Sequence, residues 1–289
     1  MQNVHTTHFD NNKVYTDTTL CATMDKESGG KPRTIQSVER ACTILEKIRQ
    51  ANRVTLTELE ENIDLSLGTL QTYMNTLCAN GLVIKEGRTY RLAHQFLTYG
   101  EHVRNNLPLY RAGREVADTI AHETGKNAHL ITHHNGQEVT VYQSFGEGAV
   151  GSDIYIWHQA KLVWQLHWSA SGKAILAHLP QEDVAEVVEE HGLERRTPNT
   201  ITDDQKLYDE LEQIREQGYA LNDEEEISGL RAVAAPIHDP DHDLVGSVSI
   251  SAPISQMPDE EFYDTYPDYV REKANIIEIE LQTVDVTSV

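Results

Sequence analysis

Between Pro32 and Gly81 the apolar positions return every three or four residues in three short bursts. Val38, Ala41, Cys42, Leu45 and Ile48 keep helical spacing behind Ser37, a candidate cap. Leu59 and Ile63 follow Thr57, which would cap a second helix, with Leu56 just before it. Leu67, Leu70, Met74, Leu77 and Cys78 follow Ser66 and stop at Asn80-Gly81. With Asp64-Leu65 as the turn, this predicts three short helices in helix-turn-helix order. The period then shortens to that of strands. Leu82-Val83-Ile84 and Thr89-Tyr90-Arg91-Leu92 flank Glu86-Gly87, a hairpin that serves as a wing. Residues 31–92 therefore read as a winged helix-turn-helix.

Residues 93–109 return to a helical period with Phe96, Leu97 and Val103 until Pro108 interrupts it, which predicts a linker helix. Residues 110–289 form the second unit. Its opening helix ends at Gly125, and "NAHLITHH" and "QEVTVYQSF" alternate as strands around Asn135-Gly136. "SASGKAILAHL" is helical, as are Gln181–Glu190 and Asp203–Gln217. "RAVAAPI" and "LVGSVSISA" are strands around "HDPDHD", and Asp259–Gln282 is a last helix. Hairpins mixed with helices in this way indicate an α+β domain. Residues 1–30 have no sustained apolar period and end in Ser28-Gly29-Gly30, the composition of a disordered leader.

Charge is also unevenly divided when the chain is cut at residues 30 and 115. Residues 31–115 carry 12 Lys and Arg against 9 Asp and Glu, whereas residues 116–289 carry 10 against 33, within a formal net charge of −22. A nucleic-acid role, if there is one, belongs to the positive segment. The acid excess of the second unit looks like the surface of a protein living in molar salt, where a Debye length of about 3 Å screens self-repulsion and phosphate attraction alike. No stretch approaches the roughly 20 apolar residues of a membrane span, and the N-terminus lacks the order of a signal peptide, so a soluble cytoplasmic protein is expected. Cys21, Cys42 and Cys78 offer neither a disulfide framework nor a CxxC metal site.

On the third helix, the face opposite the apolar stripe shows Gly68, Thr69, Gln71, Thr72 and Asn75, with Ser66 at its start. Gln71 can pair with adenine in bidentate fashion, and the threonines suit phosphate or a thymine methyl. The helix N-terminus favours a phosphate. Lys85, Arg88 and Arg91 on the wing suit phosphate or a minor groove. The same face would also suit a protein-interaction module fused to a ligand-binding or catalytic acidic domain.

The second unit carries no convincing catalytic set. Gly172-Lys173 lacks the upstream glycine and the Ser/Thr of a P-loop, and Ser169 and Ser171 have no lysine three residues on. "DPDHDL" has Leu244 and Ile250 where a calcium loop needs glycine and glutamate. His129 and His133 share a strand face without metal-ligand spacing, so no metal or cofactor is expected. "SASGKA" does place small residues at a helix N-terminus, and Ser249 and Ser251 put hydroxyls on one strand face, either as a ligand pocket or as close packing.

"TIQSVERACTILEKI", "LTELEENIDLSLGTLQTYMNTLCANGLV" and "GRTYRLAHQFLTYG" resemble the N-terminal domain of the isocitrate lyase regulator (IclR) family of transcription regulators. The resemblance continues to the end of the chain through "LHWSASGKAILAHLP", "TPNTIT", "LEQIREQGYALNDEEEISGLRAVAAPIHD" and "VGSVSISAPIS". It implies a winged helix-turn-helix joined by a linker helix to a GAF-like effector-binding domain. Such regulators assemble as homodimers or homotetramers on palindromic double-stranded DNA operators and respond to a small-molecule effector. It also implies effector contacts at Ala170, Ser171, Asn222, Ala232, Ser249 and Ser251. Asn222 and Ala232 stand where the family commonly has aspartate and cysteine, and Thr72 and Gly68 replace the customary arginine and a serine of the recognition helix. The combined reading is a regulator of catabolic genes that answers to a small polar metabolite, a carboxylate or sugar acid, in a halophilic archaeon.

Overall fold

The computed structural model describes residues 33–149 and 165–286; the leader assigned to residues 1–30 lies outside them. The N-terminal unit runs α1 (Gln36–Ala51), β1 (Val54–Thr55), α2 (Leu56–Asn62), α3 (Leu67–Ala79), β2 (Val83–Glu86) and β3 (Thr89–Leu92). The strands form an antiparallel sheet in the order β1-β3-β2. Ile44, Ile48, Leu59, Leu70, Met74, Leu77, Val83 and Tyr90 close one core between helices and wing. Three details depart from the sequence expectation. In α1 the seam turns on Ile44 and Ile48, while Val38 is 56% exposed and Cys42 faces outward, so the buried stripe is displaced from the one expected. No side chain caps α1, so Ser37 is not a cap. The cap of α2 is Thr55 rather than Thr57, in a reciprocal box with Glu58, which satisfies two otherwise orphaned amides.

Two helices follow, α4 (Gln95–Asn106) and α5 (Pro108–Thr124). A single extended residue, Leu107 (φ −77°, ψ 121°), joins them, since Pro108 disfavours a helical predecessor but is itself welcome at a first helical position. No residue of α4 is buried, and Leu97, Tyr99 and Val103 are at least half exposed.

The C-terminal unit contains β4 (Asn127–His134), β5 (Gln137–Phe145), α6 (Ala170–His178), α7 (Gln181–His191), α8 (Asp204–Gln217), β6 (Ala220–Asp223), β7 (Leu230–His238), β8 (Leu244–Pro253) and α9 (Tyr266–Val286). Its antiparallel sheet has the order β5-β4-β8-β7-β6. Alternation along the strands sends Leu130, Val233, Val248 and Ile250 toward α5 and α9, and sends Ile131, Ala232 and Ala234 toward α6 and α8. The result is a helix–sheet–helix sandwich, the GAF-like class expected. β6 escapes the sequence pattern: it is a four-residue edge strand ending in Asn222-Asp223. Close packing holds α6 on the sheet, since a Cβ on Gly172 would lie 2.1 Å from the Leu166 carbonyl oxygen. Among the described residues no helix is long and apolar enough to cross a membrane.

Candidate nucleic-acid interface and ligand pocket

Ser66 starts α3 by accepting from the Thr69 amide, and its hydroxyl lies 2.9 Å from that of Thr69. Leu70, Met74 and Leu77 anchor the inner face. Leu67, expected in that stripe, is 45% exposed, because it sits in the first turn before the helix meets its neighbours. Gly68, Thr72 and Asn75 are exposed, while Thr69 and Gln71 are half-buried. Open space surrounds Gly68, where an added Cβ would meet nothing within 4 Å. The polar face is internally bonded. Gln71 donates to Asn75 Oδ1 at 2.8 Å, and Thr72 donates to the Gly68 carbonyl at 3.0 Å, which leaves its methyl and an oxygen lone pair outward. Glu60 accepts from the Leu67 amide at 3.0 Å, so a carboxylate already occupies the positive end of the helix. A DNA phosphate arriving there would compete with it.

On the wing, Lys85 and Arg88 are exposed, and the Lys85 ammonium lies 5.5 Å from the Tyr90 ring centroid. Arg91 is engaged: its Nε donates to Glu86 at 2.7 Å and its guanidinium also reaches the Leu92 carbonyl. Glu86 also accepts from Arg53, and the arginine hydrogen bonds hold its carboxyl below the usual range. Arg88, by contrast, forms no ion pair among the described residues.

In the C-terminal unit the six expected effector residues converge. Asn222, Ala232 and Ser251 lie side by side across β6, β7 and β8, and Ser249 is one pleat along from Ser251. The first turn of α6, with Ala170 and Ser171, lies over them, and all six are buried. Ser171 Oγ donates to Ser249 Oγ at 2.9 Å, and Ser247 Oγ donates to the Ser171 carbonyl. Asn222 is committed to structure: it donates to the Trp168 carbonyl and to Glu226, and accepts from the Glu225 amide. Two surface grooves, between α7 and α8 and between α5 and α9, contain none of the six.

Four polar residues on the same face were not singled out as effector contacts from sequence. His129 bridges Ser251 and Gln143, each at 2.9 Å. Ser169, the cap of α6, donates to Glu138 of β5. Period-two alternation along "NAHLITHH" and "QEVTVYQSF" was the available signal, but a bulge between Leu130 and Ile131 shifts the register that pairs them. Among the described residues no group of three His, Cys, Asp or Glu could hold a metal ion.

Burial holds His129 and His167 at about 4, below the ordinary imidazole value of 6.5, and lowers His133 and His178 in the same direction. These rings fold neutral, whereas the unfolded chain protonates them, so their contribution is present above pH 6.5 and lost as pH falls toward 4. Glu138, raised by burial to about 7, works the opposite way: its contribution is present below about 4.5 and lost as pH rises through 7. Burial also raises the Glu225 carboxyl, and the four histidines outweigh these two carboxylates. Stability should therefore fall by on the order of a few kcal/mol between pH 7 and pH 5. Denaturant midpoints at the two pH values check this, and an equal or higher midpoint at pH 5 contradicts it.

Comparison with known proteins agrees with this geometry. The IclR helix-turn-helix domain model matches residues 37–87, and the model of the bacterial transcriptional regulator IclR C-terminal domain matches residues 101–279. The chain is 40% identical over 265 residues to the Probable HTH-type transcriptional regulator ArcR of Halobacterium salinarum, covering 90% of this chain and 100% of that one. It is 30% identical over 230 residues to the HTH-type transcriptional regulator XynR of Escherichia coli, covering 78% and 90%. The crystal structure of the Thermotoga maritima IclR superposes with a TM-score of 0.62 at 29% identity, covering 86% of this chain and 99% of that one. With both units matched in order and the winged helix, linker and sandwich in place, the chain belongs to the IclR family of DNA-binding transcription regulators.

Proposed function

We propose that this regulator binds palindromic double-stranded DNA as a homodimer or homotetramer and controls catabolic genes in response to a small polar metabolite, a carboxylate or sugar acid. Ser66, Gly68, Thr69, Gln71, Thr72 and Asn75 face the major groove, with Lys85, Arg88 and Arg91 on the flanking backbone. Arg91 acts through its pairing with Glu86, as part of the wing's frame. Ala170, Ser171, Asn222, Ala232, Ser249 and Ser251 form the effector pocket, and Asn222 shapes it by holding the Trp168 carbonyl. The protein acts in the cytoplasm and performs no catalysis.

The observation that carries this reading is the partition of surfaces. An exposed Gly/Thr/Asn face and exposed wing cations sit on the one unit with a positive balance, while the acidic unit buries a convergent set of hydroxyls. The exposed apolar residues of α4 supply a surface for the second copy that a two-fold operator demands. The likeness to a Halobacterium salinarum regulator supports a working environment of high salt. There counterion release contributes little, and close contacts with linked half-sites carry affinity. Genome-wide immunoprecipitation of the protein with its bound DNA, at native salt, tests the reading. Sharp peaks over palindromes beside metabolic genes are expected; a flat profile would return the winged helix to protein binding.

A further inference from the structure

We propose that His129, oriented by Gln143, is a positioning residue that sets specificity in the effector pocket: it makes Ser251 a hydrogen-bond donor toward the ligand, so the pocket selects a carboxylate or carbonyl oxygen over an amine. The proposal rests on the effector-pocket reading given above.

Proton accounting along the chain of contacts leads to it. The Gln143 amide nitrogen lies 2.9 Å from His129 Nδ1, and an amide nitrogen of this kind only donates, so Nδ1 accepts. A neutral ring that accepts at Nδ1 carries its proton on Nε2. Full burial keeps the ring neutral, holding it down at about 4. Nε2 lies 2.9 Å from Ser251 Oγ, so the ring donates and the serine accepts. Ser251 thereby keeps its own O–H for another acceptor. Ser249 reaches the same polarity by a separate route, because it accepts the Ser171 hydroxyl proton.

Two hydroxyl donors thus stand on one face of β8, 3% exposed or less, beside the methyl groups of Ala232 and Ala234. The charges around them do not supply the selectivity. The Lys173 ammonium is spent on Glu210 and Glu225, Glu138 is occupied by Ser169, and the buried Glu226 carboxylate accepts from Asn222. Selection of an acceptor in this pocket depends on the direction in which its hydrogen bonds run, and His129 sets that direction for half of the pair. A histidine with the opposite tautomer would take the Ser251 proton and turn a donor into a spent group.

The test uses the full chain with 15N-labelled histidine at native salt. Long-range nitrogen–proton spectra, with His129→Gln to assign the ring, report its tautomer directly. The Nε2–H form is expected in the wild type, and a mixture of tautomers in Gln143→Met, which keeps the volume and removes the donor. Calorimetry then compares glycolate, pyruvate and gluconate, with ethanolamine as the cationic control. Binding of at least one of the three acids should weaken about tenfold in Gln143→Met and in Ser251→Ala. Melting curves at the same salt identify any variant that has lost its fold, and in that event the wild-type tautomer decides. An Nδ1–H ring in the wild type overturns the proposal, as does a folded Gln143→Met that binds the acid as tightly as wild type. A wild type that binds none of the three acids sinks the effector reading and the ligand half of the proposal with it, while the tautomer still decides the His129 relay.

Discussion

Replacing Gln71, Thr72 and Arg88 together with alanine is expected to weaken operator binding by roughly a hundredfold while leaving ligand binding and the melting temperature essentially unchanged. A bidentate base contact contributes about 1–3 kcal/mol, and a phosphate contact adds less at high salt. Each residue contributes differently. Gln71 must trade its Asn75 partner for a base edge, whereas Thr72, already bonded to the Gly68 carbonyl, offers a fixed methyl and lone pair at little entropic cost. Arg88 brings an exposed charge at the wing tip. None of the three belongs to the buried core of the unit, so its fold should survive. Fluorescence anisotropy with an operator fragment from the immunoprecipitated peaks measures the effect. A change of less than about threefold would mean that other surfaces read the DNA.

Lys173→Ala should be the most destabilising single change in the C-terminal unit, by about 3–5 kcal/mol. The lysine side chain is 1% exposed, and its ammonium donates to Glu225 at 2.7 Å and to Glu210 at 3.0 Å. Burial raises the Glu225 carboxyl, and Lys173 is the main influence holding it down. Removing the cation strands that carboxylate, whose second oxygen is already buried without a partner. Lys173→Met, which retains the packing of the stem, should recover only the smaller part of the loss, and adding Glu225→Gln should recover more. Thermal unfolding of the three variants checks the order. If Lys173→Ala cost under about 1 kcal/mol, the ion pair would be incidental to the sandwich.

Those two outcomes probe features of very different legibility. The reading helix could be seen in the chain because its signals are local: Ser66 before the apolar stripe, Asn80-Gly81 after it, and a hairpin with Gly87 at its turn. The sandwich was visible through strand alternation and through the turn at Asn135-Gly136. What stayed hidden depends on tertiary contact. The seam of α1 is set by where β3 and α3 press against it, and spacing alone admitted Cys42 as readily as Ile44. β6 is too short to declare itself and exists because β7 offers an edge to pair with. The partners of Lys173 lie 37 and 52 residues away, and those of His129 lie 14 and 122 residues away. The six candidate effector residues came from family likeness. Their mutual bonding, and the commitment of Asn222 to the Trp168 carbonyl, became visible only in three dimensions.

The break at Leu107 gives the molecule a mechanical ratio. The 12 residues of α4 make a rod of about 18 Å, pinned at one end to a single extended residue and joined at the other to the wing through Ala93 and His94. A swing of about 10° at that pivot carries the far end through roughly 3 Å, close to the spacing of one base-pair step in B-DNA. In the proposed homodimer, an adjustment of α5 against its sheet too small to disturb the core would then suffice to move each reading head out of register with its half-site. In the homodimer proposed above, gearing of this kind would let a small effector act on two grooves a full helical turn apart.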